Sequence, residues 1–330
     1  MAGLAIVLER IGRHGDDRHG PAFRRTAQRP RCLQTIHLRH QHVHQDHIEA
    51  ARKNFLHRDA TILRRFHPEV LLFTGGYVAV PMAIAARIPQ PGLRRPRSLS
   101  FVPDVEPGLA LKVVARISDW IAASTEDTRR YFSAKRKVWV TGYPLRPDLA
   151  RWSKAAAQEK LGLNPDLPTL LVFGGSKGAR SINQALMGIL PELLETMQVV
   201  HISGRLDWEV VQANARLLPA DPSGRYQAHA YLHEEMGAAL AAADLAVSRA
   251  GASCLGELPY FGLPAILVPY PHAWRYQRLN AEYLVQRHAA VLLPDRDLAS
   301  HLLVLVRDLI HDAPRREAMG QALRKLSHPR

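Results

Sequence analysis

The sequence predicts two doubly wound α/β domains, the first of them incomplete, and three observations carry that expectation. Beyond residue 57 short apolar runs alternate with amphipathic stretches, the rhythm of a parallel sheet with helices on both faces. The alternation runs through twice, interrupted at 147–168 by the polar, proline-bounded stretch PDLARWSKAAAQEKLGLNPDLP, which reads as a linker with a short helix inside. The runs end in small-residue turns, the fullest being 170–183, LLVFGGSKGARSIN, where a buried strand meets a glycine turn and an amphipathic helix. Such a turn points backbone N–H groups outward at the positive end of a helix, where a phosphate or diphosphate binds. It is neither a Walker loop nor a GxGxxG fingerprint, because Ala179 and Arg180 follow Gly178 and no third spaced glycine appears.

A chain of 330 residues with 47% hydrophobic content is long enough for two ordinary cores. Cys32 and Cys254, the two cysteines, lie too far apart in sequence to suggest a metal or disulfide framework, which makes a reducing cytoplasm the expectation. The opening MAGLAIVLERIG is too short an apolar run for an export signal, and no run of apolar residues is long enough to span a membrane. A net charge of +14 points to an anionic partner: nucleic acid, an acidic membrane surface or a phosphate-bearing substrate. Aromatics at 7% and the lack of a zinc-finger or RNA-recognition motif argue against nucleic acid, leaving a peripheral membrane protein that handles phosphates.

Taken in order, residues 1–57 form a basic segment without sustained periodicity, and nine of the 17 histidines fall within the first 67 residues. The cluster His37, His40, His42, His44 and His47 matches no closed metal site and reads as a solvated, biased stretch. A basic helix over 48–66 leads into the strand EVLLFT, the turn Gly75-Gly76-Tyr77 and a small-residue helix with Pro81 near its first turn. RSLSFVP, IAAS and KVWVTGYP read as strands, and PGLALKVVARISDW and EDTRRYFSA as helices. Domain boundaries follow: an irregular head at 1–57, a partial first domain at 58–150 and a complete second domain at 151–330. In the second, strands are expected at 169–173, 198–203, 225–230, 244–248, 264–269 and 289–293, with ligands at their carboxyl ends.

Four loops should meet at that edge. Gly174 to Arg180 is the first. The second, SRAGASCLGE at 248–257, is a strand end running into a helix whose N–H groups and small side chains leave room for a phosphate. Glu257, one turn into the helix, suits a ribose diol, although the helix dipole alone would also favour an acid there. The third is PYPHA at 269–273, followed by Gln277 and Asn280, whose three-residue spacing puts both amides on one helical face. They fit sugar hydroxyls or an exposed polar stripe. The fourth, YLHEEM at 231–236, could hold a planar base through main-chain groups.

VLLFTGGYVAVP, PGLALK, VTGYPLR, FGGSKGARSIN, SRAGASCLGEL and PAILVPYPHAWRYQRLNA, in that order, resemble the signatures of the MurG family from about residue 60 onward. These are GT-B glycosyltransferases that move N-acetylglucosamine from UDP-GlcNAc to a lipid-linked muramyl pentapeptide. The resemblance implies two Rossmann-like domains facing a cleft, with the donor held by the second. Ser176 and the Ala252–Cys254 turn would face the diphosphate, Glu257 the ribose, the Leu232 main chain the uracil, Gln277 and Asn280 the sugar, and Arg146 the nucleotide. Gly75, Gly76 and Tyr77 would form a loop on the acceptor side. No metal or other cofactor is implied, since fixed N–H groups and helix dipoles stabilise the departing diphosphate. Asp295-Arg296-Asp297 accordingly reads as a helix cap rather than a manganese site.

The chain departs from the family in several places. The glycine loop GGTGGH, whose histidine deprotonates the acceptor, has no counterpart; His19-Gly20-Pro21-Ala22 echoes it without the glycines. Pro103-Asp104 replaces a Gln-Asn pair, Tyr143 an asparagine, Trp274 an aspartate and Cys254 a threonine, and the family's last crossing helix is missing after Ser-His-Pro-Arg. A frameshifted or recombined start would account for residues 1–57, leaving the catalytic base unassigned. The expected activity is inverting, metal-independent transfer at the inner membrane face, to a polyprenyl-diphosphate sugar reached by a basic first domain. The alternatives are a transferase for another lipid and a UDP-sugar-binding protein without turnover; an epimerase would need acid/base residues not seen here.

Overall fold

The structure is a computed structural model that describes residues 58–175, 178–217, 224–272 and 275–328. The irregular head expected at 1–57, with its histidine cluster, lies outside the described residues, as do Ser176 and Trp274. By contact the chain divides into two compact units: residues 1–101 with Gly108–Ile121, and Val102–Pro107 with Ala122–Arg330.

In the first unit residues 58–66 form helix α1, the described part of the basic helix expected from 48. Strand β1 (Val70–Phe73) runs parallel to β2 (Arg97–Val102), with Val70 opposite Arg97. Helix α2 (Ala79–Ala85) buries Ala83 and Ala85 and packs against α3 (Leu109–Ile117), which buries Leu111, Val114 and Ala115. Leu63 of α1 joins Leu71, Phe73, Ala83 and Val114 in the core of this unit. Alternation on a half-buried strand sets which side chains enter: Leu71 and Phe73 point inward while Leu72 is exposed. Asp119, just past α3, accepts hydrogen bonds from the Ser98 N–H at 2.8 Å and from Arg95 at 2.6 Å, pinning the start of β2. Strands β3 (Trp120–Ala123) and β4 (Val138–Val140) complete a sheet of order β1-β2-β3-β4, through which the division between the units runs.

The helix expected over EDTRRYFSA is present as a 3-10 helix, Glu126–Tyr131. Its ion pairs Glu126–Arg129 and Asp127–Arg130 are three residues apart, the spacing that eclipses in a 3-10 turn, and at six residues it is too short to propagate an α-helix. The stretch 147–168 is not a free linker. Leu149 is buried, and Leu149 and Trp152 press so closely on Gly237 that a Cβ there would lie 3.0 Å from the Leu149 Cα and 2.9 Å from the indole. Apolar burial packs this segment against the helix that carries Gly237.

The second unit contains α4 (Lys154–Leu161), with Ser153 as N-cap and Gly162 closing it in the left-handed conformation. The alternation then runs β5 (Thr169–Phe173), α5 (Arg180–Leu194), β6 (Gln198–Ile202), α6 (Trp208–Ala215) and β7 (Tyr226–His229). It continues through α7 (Met236–Ala242), β8 (Leu245–Ser248), α8 (Cys254–Phe261), β9 (Ala265–Leu267), α9 (Tyr276–Val285) and β10 (Ala290–Leu292). Helices α10 (Leu298–His311) and α11 (Ala313–Leu326) close it, and every strand falls where the sequence placed it. The six strands order as β10-β9-β8-β5-β6-β7, all parallel where paired. This is the doubly wound order, and its winding reverses between β5 and β8. Side chains of β5 alternate between the two faces: Leu170 and Val172 pack with Ile182, Leu186 and Leu190 of α5 and with α10, while Leu171 packs with α7 and α8. Burial on both faces is why these strands read as continuous apolar runs.

Candidate functional site

The turn after β5 and the turn after β8 open side by side at the switch point, because β5 and β8 are neighbours with Phe173 opposite Ser248. Glycine is obligatory in the first. A Cβ at Gly174 would stand 2.3 Å from that of Ala179, and one at Gly178 would stand 2.2 Å from the Ser203 carbonyl oxygen. Gly175 and Gly178 also hold φ of +87° and +83°, and the Gly178 N–H donates to the Gly175 carbonyl at 2.9 Å. Glycine at 174, 175 and 178 thus keeps the described part of the turn narrow and free of side chains.

In the second turn the Cys254 N–H donates to the Gly251 carbonyl at 3.0 Å and the Glu257 N–H to the Ser253 carbonyl at 2.8 Å, so these two donors serve the helix start. The Cys254 thiol is buried in the core and burial pushes its pKa far up. Of the Ala252–Cys254 donors expected to face a diphosphate, the Cys254 N–H is therefore spent internally, which narrows the turn's contribution to Ala252 and Ser253. Glu257 is partly buried, and burial pushes its carboxyl above the usual range, opposed by a hydrogen bond with the Ser253 side chain and by the charge of Arg146. Arg146 arrives there because Gly256 has no side chain: a Cβ would come within 2.7 Å of the Tyr143 Cβ, so Tyr143–Leu145 lies directly on the start of α8. The Arg146 guanidinium also donates to the His233 carbonyl at 3.3 Å, beside Leu232. The structure thus brings Arg146, Glu257 and the Leu232 loop together; the Leu232 side chain is buried, leaving its main chain as the part that can meet a ligand.

The two amides of α9 part company. Gln277 is partly exposed, and its Oε1 accepts from the Tyr270 N–H at 2.9 Å, holding the third loop to the helix. Asn280 is fully buried. Its Oδ1 accepts from the Val105 N–H at 3.0 Å and its Nδ2 donates to Asp104 at 2.8 Å and to the Ala250 carbonyl at 3.1 Å. The polar atoms of Asn280 tie residues 102–107 to β8 and α9.

Asp295 requires a correction. It is not a cap: its carboxylate binds the Arg249 guanidinium and accepts from the Ser181 hydroxyl at 2.7 Å, while Asp297, at the N-cap position of α10, makes no capping bond through its side chain. Arg249 further donates to Ser181 at 2.7 Å and to the Val268 carbonyl at 3.2 Å, and lies over the Tyr270 ring at 5.3 Å. This one partly buried guanidinium ties together the ends of β8 and β9, the start of α5 and the loop after β10, and sequence reasoning quoted it inside SRAGA without giving it a role. Among the described residues no cluster of three His, Cys, Asp or Glu side chains is arranged to hold a metal ion.

In the first unit Gly75 and Gly76 hold φ of +128° and +85°, and Tyr77 is 80% exposed at the start of α2. A Cβ at Gly75 would meet Leu111 of α3 at an ordinary 3.7 Å, so the backbone conformation, not crowding, selects glycine there.

With this geometry in hand, comparison with known proteins is specific. The family model described as the glycosyltransferase family 28 C-terminal domain matches residues 169–329, the span from β5 to the end of the described second unit. A UDP-N-acetylglucosamine–N-acetylmuramyl-(pentapeptide) pyrophosphoryl-undecaprenol N-acetylglucosamine transferase of Roseiflexus sp. (strain RS-1) is 40% identical, the match covering 81% of this chain and 68% of that protein. A protein of the same name from Chlorobium limicola is 38% identical over 81% of this chain and 71% of its own. Among solved structures, MurG of Acinetobacter baumannii superposes with a TM-score of 0.62 at 24% identity, covering 82% of this chain and 72% of that one. A UDP-GlcNAc 2-epimerase from Neisseria meningitidis bound to UDP-GlcNAc gives 0.56 at 15% identity, covering 83% of this chain and 79% of that one. The structural likenesses establish the GT-B fold.

Proposed function

The chain belongs to the MurG family of N-acetylglucosamine transferases, and from that premise we propose how its second unit holds the donor for transfer to a lipid-linked muramyl pentapeptide. The observation that carries the reading is the convergence of Arg146, Glu257 and the Leu232 loop beside the turn after β8, next to the glycine-dependent turn after β5, at the switch point of a doubly wound sheet.

UDP lies across that edge. The uracil meets the main chain at Leu232, and the two ribose hydroxyls donate to Glu257, a carboxylate able to accept both. Arg146 links the two by holding the loop carbonyl of His233 and lending its charge to Glu257. The diphosphate faces the Gly174–Arg180 turn, Ser176 included, and the N–H groups of Ala252 and Ser253. There the start of α5 supplies partial positive charge for the leaving group as the glycosidic bond breaks. Gln277 reads the sugar, its Nε2 pointing away from the bond its Oε1 makes to Tyr270. Asn280 acts through Asp104 and Ala250 rather than on the sugar. Direct attack by the acceptor hydroxyl from the face opposite the diphosphate inverts the anomeric centre. Gly75, Gly76 and the exposed Tyr77 belong to the acceptor side, and the protein works as a peripheral enzyme at an anionic membrane surface on the cytoplasmic side. No helix among the described residues is long and apolar enough to cross a membrane.

Calorimetric titration with UDP-GlcNAc, with UDP-glucose alongside, tests the donor site. Replacing Glu257 by Ala is expected to weaken UDP-GlcNAc binding by roughly ten- to a hundredfold, the loss of charge-assisted bonds to both hydroxyls. Unchanged binding in E257A would remove the ribose assignment, and binding by the natural chain without transfer would favour a UDP-sugar-binding protein over an enzyme.

A further inference from the structure

The first unit holds a cavity of about 710 Å³ at the amino ends of β1 and β2, with His67, Glu69, Arg94, Arg95 and Arg97 in its lining. Gly75, Gly76 and Tyr77 follow β1 at its carboxyl end, so the cavity and that turn lie at opposite ends of the strands. Two segments wall the cavity, 67–69 entering β1 and 92–97 entering β2. The Arg97 N–H joins them by donating to the Glu69 carbonyl at 2.8 Å. Each segment is anchored by a buried proline, Pro68 in one and Pro96 in the other, which fixes the chain where it sits. His67 closes α1, its N–H donating to the Leu63 carbonyl at 2.9 Å, with a φ of +44° that residues other than glycine adopt at a cost. Gly92, at φ +75°, turns the second segment, and the Leu93 N–H closes that turn on the Gln90 carbonyl at 3.2 Å. The walls are therefore held by main chain, and the arginines project from a fixed base.

The charges around this cavity do not balance. Arg95 donates to Asp119 at 2.6 Å, and Arg87 stands 3.5 Å from the same oxygen. The other Asp119 oxygen accepts from the Ser98 N–H at 2.8 Å and from the Ser98 hydroxyl at 2.9 Å. Asp119 is thus spent on two guanidiniums and on the start of β2. Arg94 and Arg97 pair with no carboxylate among the described residues; Arg97 lies 6.0 Å from the centre of the Trp120 ring, a contact that leaves its N–H groups unspent. Glu69 is the carboxylate of the lining and is exposed. Guanidiniums gathered in one concave site without enough counter-charge repel one another and focus a positive potential on the space between them, and a bound anion relieves both.

We propose that this cavity binds a phosphate-bearing molecule, its phosphate held by the guanidiniums of Arg94 and Arg97 and its body filling the space toward His67 and Leu93. The site goes beyond the donor reading and is independent of it. The planar N–H fork of arginine matches the oxygens of a phosphate, and two forks beside a third guanidinium favour an anion with more than one negative charge over a single carboxylate. The volume falls in the range of roughly 300–1,000 Å³ found for small-molecule sites, more than a bare phosphate fills. A soluble phosphorylated compound and the head group of an acidic lipid present the same chemistry here.

The test titrates the full chain with inorganic pyrophosphate, with UDP present at saturation to fill the donor site, and compares it with an R94A/R97A double variant and with E69Q. The natural chain is expected to bind, the double variant to lose about tenfold or more, and E69Q to gain about two- to threefold by removal of the opposing charge, with UDP affinity the same in all three. No pyrophosphate binding by the natural chain, or equal binding by the double variant, overturns the site. If circular dichroism shows that the double variant does not fold, E69Q decides, and an unchanged affinity there overturns the proposal. A natural chain that does not bind UDP overturns the donor reading alone, and the loss in R94A/R97A still decides this site. Once that loss is seen, sedimentation with phosphatidylglycerol vesicles, against phosphatidylcholine vesicles, assigns the source. Weaker retention of the double variant on the acidic vesicles supports a lipid head group, and retention equal to the natural chain supports a soluble phosphate.

Discussion

Gly178 and His201 show how much single residues carry in the second unit. Gly178 combines a φ of +83° with a neighbour, the Ser203 carbonyl oxygen, that would stand 2.2 Å from any Cβ. G178A is therefore expected to cost about 2 kcal/mol or more, strain and collision together, and to weaken UDP-GlcNAc binding through the displaced turn. Thermal unfolding and calorimetry measure the two effects, and an unshifted Tm would contradict the close approach. His201 is buried, with Nδ1 at 2.9 Å from the Tyr226 hydroxyl and Nε2 at 2.9 Å from Asn183 Oδ1. The Asn183 Nδ2 donates to the Ser203 carbonyl and to Asp207, so Oδ1 is left to accept from an Nε2–H and the ring stays neutral. Burial, helped by the charge of His229, pushes its pKa down to about 4. The unfolded chain takes up a proton near pH 6.5 that the folded one refuses, so this stability is complete above that pH and lost as pH falls toward 4. H201Q should flatten the dependence of unfolding free energy on pH in that window, by roughly 3 kcal/mol across it. An unchanged slope in urea unfolding would count against it.

At the scale of elements, helix α5 and the loops at the carboxyl edge do separate jobs. Ile182, Leu186, Leu190 and Leu193 recur at helical spacing and are all buried, so α5 was legible from periodicity alone. Leu186→Ala is expected to destabilise by about 2–5 kcal/mol without touching the ligand edge. The loops are different. Their mutual position depends on Arg249, which holds Ser181, Asp295 and the Val268 carbonyl from three other places in sequence. Arg249→Lys keeps the charge but cannot reproduce the planar fork. It should weaken UDP-GlcNAc binding by about tenfold while shifting Tm by only a few degrees, and equal losses in both would mean that the guanidinium is simply part of the core. That network was invisible beforehand because its partners lie up to 114 residues apart and no local pattern joins them.

The whole molecule carries a charge of +14, and arginine is prominent in both units. If the protein works on an anionic membrane surface, vesicles containing acidic lipid should retain it in low salt and release it as ionic strength approaches about 0.5 M, where the screening length is only a few ångströms. Neutral vesicles should not retain it; retention there, or retention insensitive to salt, would argue for apolar insertion instead. Leu149 and Trp152 pack closely on Gly237 of α7. A polar, proline-bounded composition had suggested a linker, but two apolar side chains outweighed it.

By itself the sequence determined the elements and their family. Strands buried on both faces must be continuous apolar runs and helices on a sheet must be amphipathic, so periodicity locates both, and motifs kept in order mark the loops that glycine geometry makes irreplaceable. Tertiary structure alone decided which polar groups are free. Gln277 and Asn280 are equivalent by spacing, yet one keeps a donor available and the other spends its amide on Val105, Asp104 and Ala250. Asp295 looked like a cap and is the partner of Arg249; Asp104 looked like a departure from a motif and is held by Asn280, 176 residues away. The physical reason is the same in each case. A hydrogen bond is decided by a distance of about 3 Å and an angle, and partners distant in sequence acquire that geometry only once the chain has folded.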